Sequence, residues 1–276
     1  MPIRFTKMEG LGNDFVVIDG LRQSVTLDAK TVQRLSDRHF GIGFDQLLLV
    51  EPPRNSGADF RYRIFNADGS EVAQCGNGAR CLARFVVDQG LFQGETVRVE
   101  THGGHLVLRL LDDSLVEVDM GIPRHAPDEI PLKAQEEAPV YVFETEGEVV
   151  RCGAVSLGNP HVVLRVEDLR QAPVTTLGPR LESHPQLPER ANVGFMEVLN
   201  SHQIRLRVFE RGAGETLACG SGACAAVVVG IEWNCLQSPV RVSLPGGDLE
   251  VRWAGRGQSV FLKGPARRVF EGEIAW

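Results

Sequence analysis

The chain lacks several things, and each absence closes off a class of function. No Cys-x-x-Cys pair occurs and no histidines gather at zinc-binding spacing, so neither a dithiol redox motif nor a zinc site is written in the sequence. The longest apolar run, Ala223 to Ile231, is far too short to cross a bilayer. The opening Pro2-Ile3-Arg4-Phe5-Thr6-Lys7 is too polar for a signal peptide, so the expectation is a soluble cytoplasmic protein with no membrane partner. Basic charge is not in excess: the formal net charge is −7, which argues against nucleic acid as a partner. Gly10-Leu11-Gly12 and Gly41-Ile42-Gly43 complete neither a dinucleotide fingerprint nor a P-loop. What remains is 276 residues of ordinary globular composition, 43% apolar and 24% charged, enough for one large domain or two medium ones.

Six cysteines are present, at 75, 81, 152, 219, 224 and 235. Taken singly, each reads as a small core residue. A repeat singles out two of them. Arg61-Tyr-Arg-Ile-Phe65 matches Arg205-Leu-Arg-Val-Phe209, Glu71 matches Glu215, and Cys75-Gly-Asn-Gly-Ala79 matches Cys219-Gly-Ser-Gly-Ala223, all 144 positions apart. Downstream, Val97-Arg-Val99 matches Val240-Arg-Val242 at an offset of 143; upstream, Gly12-Asn13 matches Gly158-Asn159 at 146. A period this long means duplicated domains, not a solenoid. Each copy reads as a strand, a turn, a helix and further strands. The spacing of Ala79, Leu82, Ala83, Val86 and Val87 predicts a helix with one buried face, and Ala223–Ile231 predicts one buried on every side and wrapped by strands. The expected fold is α+β: two similar domains, each a mixed sheet or barrel around a central helix, with the active site in the cleft between them. The expected boundaries are 1–119, with 265–276 returning to that domain, and 120–264.

Each Cys-Gly-x-Gly stands where a turn enters a helix. The first N–H groups of a helix lack partners and the dipole there is positive, so a carboxylate can be held there and a thiol there is expected to ionise more readily. Two such starts gripping one carboxylate would put a thiol on each face of its α-carbon. One thiolate removes the α-proton and the other thiol returns a proton to the opposite face, with no cofactor and no metal required. Glu71 and Glu215 are expected to be structural.

These segments resemble the diaminopimelate epimerases. Phe5 to Phe15 (FTKMEGLGNDF) is similar to the family's amino-terminal signature, and Phe65-Asn66-Ala-Asp-Gly-Ser70 with Cys75 to Cys81 to its first catalytic segment. Gly158-Asn159-Pro160-His161 and Asn192-Val193 resemble its linking segments, and Glu210-Arg211 through Cys219 to Ala223 its second catalytic segment. The resemblance runs nearly the full length. It implies conversion of LL-2,6-diaminopimelate to the meso form, in lysine and peptidoglycan precursor synthesis, by a homodimer. It implies Cys75 and Cys219 as the acid/base pair, and His161 and Glu210 as tuners of the thiols. Asn13, Gln46, Asn66, Gly76, Asn77, Asn159, Asn192, Glu210, Arg211, Gly220 and Ser221 are implied as substrate ligands. The physical reading adds that Arg211 suits a distal carboxylate and Glu210 a distal ammonium. Position 270 departs from the pattern: Phe stands where some relatives carry a Tyr associated with dimer contacts, so the aromatic face is kept and the hydroxyl lost. Cys152, Cys224 and Cys235 are expected to be buried spacers. Three alternatives stay open: a sister racemase for proline, hydroxyproline or histidine, a thiol-disulfide protein, and a non-catalytic binding module.

Overall fold

The computed structural model describes residues 2–72, 75–112, 114–145 and 147–275. The chain folds as two compact units, Met1–Asp119 with Lys263–Trp276, and Met120–Leu262. The first unit contains β1 (Ile3–Gly10), β2 (Asn13–Asp19), α1 (Ala29–Ser36), β3 (Gln46–Glu51), β4 (Phe60–Asn66), β5 (Glu71–Val72), α2 (Gly76–Asp88), β6 (Thr96–Thr101), β7 (Gly104–Leu110) and β8 (Leu115–Asp119). The second contains β9 (Tyr141–Thr145), β10 (Glu148–Ser156), β11 (Pro160–Val166), α3 (Val174–Glu182), β12 (Asn192–Asn200), β13 (Gln203–Glu210), β14 (Gly214–Thr216), α4 (Gly220–Glu232), β15 (Val240–Leu244) and β16 (Gly247–Trp253). Strand β17 (Val260–Pro265) carries the chain across the unit boundary, and β18 (Arg267–Ile274) pairs antiparallel with β1 in the first unit. No helix of the described residues is long and apolar enough to cross a membrane.

The two units repeat one pairing scheme. In the first, β1 and β2 pair antiparallel, β2 and β3 parallel, β3 and β4 antiparallel, β4 and β6 parallel, and β6 and β7 antiparallel. In the second, β10 to β13, β15 and β16 follow the same sequence of senses. The short strands β5 and β14 fold back on β4 and β13 in the same register, Ile64 opposite Val72 and Val208 opposite Thr216. An Arg–Glu pair clamps each of these hairpins: Arg63 donates to Glu71 at 2.6 and 2.9 Å, and Arg207 to Glu215 at 2.6 and 2.9 Å. Glu71 and Glu215 are therefore structural, as the sequence reading expects.

Strand alternation gives each sheet two buried faces. In the first unit Val16, Ile18, Leu47 and Leu49 pack with Val32 and Leu35 of α1. In the second, Val162, Leu164, Val193 and Phe195 pack with Val174, Leu177 and Leu181 of α3. The other faces receive the helices that carry the repeated motif. Helix α2 lies against β1, β2, β3, β7, β8 and β18, and α4 against β10, β11, β12, β13 and β16. Residues Gly222 to Gly230 of α4 are all buried, which meets the expectation of a helix wrapped by strands.

The Asn66–Gly69 turn is the sharpest point of the first hairpin. Gly69 sits at φ +81°, and a Cβ there would lie 2.6 Å from the Ala29 carbonyl oxygen and 2.7 Å from its Cα. Both the left-handed backbone and a rigid obstacle therefore require glycine. Gly69→Ala should lower the unfolding free energy by about 2–4 kcal/mol, the sum of the left-handed penalty and the clash. Gly57→Ala, where a Cβ meets open space, should stay within about 0.5 kcal/mol of wild type in the same urea titration.

Candidate functional site

Each of the two repeated thiols is the N-cap of its helix. Cys75 precedes α2 with φ −147° and ψ 115°, and its Sγ accepts the Gly78 N–H at 3.4 Å, as a capping serine oxygen would. Cys219 precedes α4 with φ −121° and ψ 108°. The second glycine of each motif is a point of close approach. A Cβ on Gly78 would sit 3.3 Å from Phe15 and from Leu48; one on Gly222 would sit 3.0 Å from Val208 and 3.1 Å from the Cys219 sulfur.

Around each thiol the structure assembles a set of polar side chains, and the sets correspond. On the paired strands β2 and β3, Phe15 stands opposite Gln46; on β11 and β12, His161 stands opposite Asn192. Taken with the repeat, this register equates Gln46 with Asn192. Asn13 likewise answers to Asn159, Asn66 to Glu210, Gly76 to Gly220, and Asn77 to Ser221. Only His161 and Arg211 lack a polar equivalent, their counterparts being Phe15 and Ala67.

In the first unit Asn77 Nδ2 donates to Asn13 Oδ1 at 3.4 Å, and Asn13 Nδ2 donates to Asp45 at 2.9 Å. Gln46 Nε2 donates to Asn66 Oδ1 at 2.9 Å, and Asn66 Nδ2 to Ser70 Oγ at 3.2 Å. The Gln46 Oε1 atom is buried with no partner among the described residues. Asn13 with Asn77, and Gln46 with Asn66, thus form two hydrogen-bonded pairs at the strand ends, while Cys75 and Gly76 open α2.

The second unit repeats the Asn13–Asn77 contact as Asn159 Nδ2 donating to Ser221 Oγ at 3.4 Å. Behind it, His161 is fully buried and its Nε2 meets Asn159 Oδ1 at 3.0 Å. Burial first, and the Arg211 charge second, bring this imidazole down to about 3, so it is neutral at pH 7. His161 makes no direct bond to a thiol: its path to Cys219 runs through Asn159 and Ser221, whose Oγ is 3.7 Å from Sγ. Glu210 is in direct contact. Cys219 Sγ donates to Glu210 Oε2 at 3.2 Å, and Thr216 Oγ1 donates to Oε1 at 2.5 Å. Asn192 Oδ1 accepts the Arg211 N–H at 3.0 Å, while the exposed Arg211 side chain rests on the Glu189 carbonyl at 3.0 Å. The buried carboxylate of Glu182 pins the turn by accepting the Gly212 N–H at 2.8 Å.

The electrostatics of Cys219 correct one sequence expectation. A helix start was expected to ease ionisation of both thiols. Burial, with the Glu210 carboxylate alongside, instead pushes Cys219 well above the ordinary cysteine value, and the N–H of Gly222 only partly offsets this. Cys219 therefore holds its proton in this state. Burial also raises Glu210 above the usual carboxylate range. Among the remaining thiols, Cys152 and Cys224 are fully buried, and burial pushes Cys152 up to about 12. Cys235 is a second correction: it is only partly buried, at the end of α4, where its thiol donates to the Gly230 carbonyl at 3.2 Å.

Sequence reasoning missed Thr216, Asp45 and Glu182. Thr216 alone had a signal, since it falls on Val72 in the repeat, a hydroxyl in place of a methyl.

A family model described as diaminopimelate epimerase matches residues 5–126 and 153–269. The chain is 58% identical over 274 residues to the diaminopimelate epimerase of Pseudomonas aeruginosa strain LESB58, and 56% identical over 274 residues to that of Stutzerimonas stutzeri; each match covers 99% of both chains. The fold is similar to that of a hydroxyproline epimerase from Agrobacterium vitis, solved with bound trans-4-hydroxy-L-proline, at a TM-score of 0.71 and 15% identity, covering 99% of this chain and 92% of that one.

The neutral state of His161 has a consequence for stability. Its folded-state pKa lies below the ordinary 6.5, so above that pH neither state binds a proton there. Below it the unfolded chain takes a proton that the folded chain refuses, and stability falls until the pH reaches about 3. Between pH 7 and 5 this contribution should remove about 2 kcal/mol of unfolding free energy. Denaturant titrations of wild type and His161→Gln at both pH values check it: the wild-type loss should exceed the variant's by that amount, whatever the variant costs at pH 7.

Proposed function

The chain belongs to the diaminopimelate epimerase family, and on that premise we propose that it converts LL-2,6-diaminopimelate to meso-2,6-diaminopimelate by cofactor-independent proton transfer between Cys75 and Cys219. One observation carries the reading: a thiol at a helix N-terminus, ringed by the same polar positions, occurs twice in one chain. Stereoinversion needs an acid and a base on opposite faces of one α-carbon, and a duplicated half-site supplies one for each.

In this reading each half-site supplies one thiol to the same substrate. The N–H groups of Gly76 and Asn77, and of Gly220 and Ser221, bind the reacting carboxylate and stabilise the carbanion as charge builds there. The Cys75 thiolate removes the α-proton while Cys219, which holds its proton, delivers it to the other face. The α-carbon inverts and the two thiols exchange protonation states; the reverse reaction starts from the exchanged form. Glu210 beside Cys219 sets when that thiol gives up its proton, and neutral His161 fixes Asn159 without adding charge. Asn13, Gln46, Asn66, Asn159 and Asn192 hold the rest of the substrate. The buried, unpartnered Oε1 of Gln46 is an acceptor suited to a substrate ammonium. Arg211 pairs with the distal carboxylate. The reading includes a homodimer in the cytoplasm, serving lysine and peptidoglycan precursor synthesis. In its support, Val269 and Phe270 leave apolar side chains about half exposed on β18.

In deuterium oxide, wild-type enzyme given LL-diaminopimelate should yield meso product carrying deuterium at the inverted carbon. Cys75→Ala and Cys219→Ala should each lose about a hundred- to ten-thousandfold in kcat while keeping the fold. Wild-type turnover in either variant sinks the two-thiol scheme.

Specificity is a separate test. Arg211→Met deletes a charge-assisted pair, worth about 2–5 kcal/mol, so kcat/KM for diaminopimelate should fall about thirty- to several-thousand-fold. Lysine, with a distal ammonium and no distal carboxylate, should be a poor substrate for wild type. If lysine and diaminopimelate were turned over equally well, the substrate assignment would fail and only an amino-acid racemase would remain.

A further inference from the structure

We propose that Thr216 is a positioning residue for this reaction: its hydroxyl holds one oxygen of Glu210 so that the other stays on the Cys219 sulfur. The inference rests on the epimerase reading above and adds a residue to it.

The geometry is a short relay within the second unit. Thr216 Oγ1 lies 2.5 Å from Glu210 Oε1, and Glu210 Oε2 lies 3.2 Å from Cys219 Sγ. A carboxylate can only accept, so both hydrogens point toward it, one from the hydroxyl and one from the thiol. The backbone fixes the relay at both ends. Val208 pairs with Thr216 and Glu210 with Gly214, so the hairpin brings Thr216 back beside the residue it holds. The Arg207–Glu215 pair keeps the two strands together, and Glu182 holds the turn through the Gly212 N–H.

The first unit is an internal control. Its hairpin has the same register and the same Arg–Glu clamp, yet Asn66 stands where Glu210 does and Val72 where Thr216 does. Valine has the shape of threonine without the hydroxyl. Asn66 is held instead by Gln46 and Ser70. The hydroxyl therefore accompanies the carboxylate: the fold accepts an apolar β-branched residue here when no carboxylate needs orienting. Without Thr216, a single thiol contact would leave the Glu210 carboxylate free to rotate away from the sulfur.

The titratable group in contact with Glu210 is Cys219 at the start of α4; Arg211 follows Glu210 in the chain, Glu182 with Arg190 holds the turn beyond it, and His161 on β11 reaches Cys219 only through Asn159 and Ser221. His161 stays neutral around pH 7, so it does not confuse a pH profile near neutrality.

The test measures epimerisation of diaminopimelate by wild type, Thr216→Val, Thr216→Ser, Glu210→Gln and the Thr216→Val/Glu210→Gln double variant, with thermal melts as the control for folding. Thr216→Val should lower kcat about ten- to a hundredfold, the worth of one hydrogen bond to a charged group, with KM changed less than about threefold. Loss of that donor makes Glu210 harder to ionise, so the acid limb of the kcat profile should move up by about one pH unit. Thr216→Ser, which keeps the hydroxyl, should recover most of kcat and the wild-type limb. In the Glu210→Gln background the Thr216→Val change should add less than about threefold. Wild-type kcat and limb in Thr216→Val overturn the inference. So does a Thr216→Ser variant as slow as Thr216→Val, since packing alone would then explain the loss. If Thr216→Val does not fold, Thr216→Ala, alone and with Glu210→Gln, takes its place with the same expected losses, and a wild-type kcat and limb in Thr216→Ala then overturns the inference. Inactivity of wild type on diaminopimelate overturns the epimerase reading and this inference with it; an active wild type with an indifferent Thr216 overturns only the inference.

Discussion

Both thiols stand at one kind of packing contact: the N-terminus of a helix pressed closely onto its sheet, with a glycine at the point of approach. Phe15 and Leu48 occupy the space a Gly78 side chain would need, and Val208 with the Cys219 sulfur occupies that of Gly222. Because the helix starts against the sheet, its N-cap residue falls at the strand ends, where Asn13, Gln46 and Asn66, or Asn159, Asn192 and Glu210, also stand. The N-cap, the strand ends and the hairpin turn thus converge without any long loop having to hold a functional group. This is the precision expected of a site built on regular elements, with a close helix–sheet contact at its centre.

On this shared frame the two copies have diverged in charge. In the first copy the sulfur of Cys75 accepts the Gly78 N–H, and Asn66 stands where the second copy has Glu210. Around Cys219 a carboxylate stands in hydrogen-bond contact, and burial and that charge both favour the thiol. On the reading proposed here the reaction needs the two ends unlike at any instant, and the carboxylate beside Cys219 has no counterpart in the first copy, where Asn66 stands.

Much of this was legible in the sequence because duplication leaves a constant offset. The run from Arg61 to Ala79 repeats without a gap, so the two motifs, their strands and their helices could be aligned by eye. The correspondence of Gln46 with Asn192 was not visible. Each lies on a strand joined to the preceding one by a long connection through α1 or α3, and only the parallel pairing of β2 with β3 and of β11 with β12 equates them. Local sequence misled at Cys219. A helix start argues for a low thiol pKa, but burial and the contact with Glu210 are tertiary facts, and in a water-poor site desolvation outweighs a partial dipole charge. Cys235 misled in the opposite way: it follows a wholly buried helix, but the chain has turned outward by the time it is reached.

The two unpaired residues show what duplication could not supply. A doubled half-site gives symmetry about the reacting carbon, but an amino acid with a second charged end needs something that only one half can offer. Arg211 is that addition on the reading proposed here, and its counterpart Ala67 carries only a methyl group. His161 is the other. Its counterpart Phe15 packs against Gly78 as an apolar wall, whereas the imidazole occupies the same strand position and turns a hydrogen bond toward Asn159. A protonated histidine there would stand near the Arg211 charge; burial and that charge together keep it neutral, so it can orient Asn159 while leaving the positive charge of the second half-site to Arg211. On that reading, specificity and the thiol chemistry are kept apart within one half-site: Arg211 is the charge that selects, and Glu210, held by Thr216 and in contact with Cys219, the charge that governs the proton on the thiol.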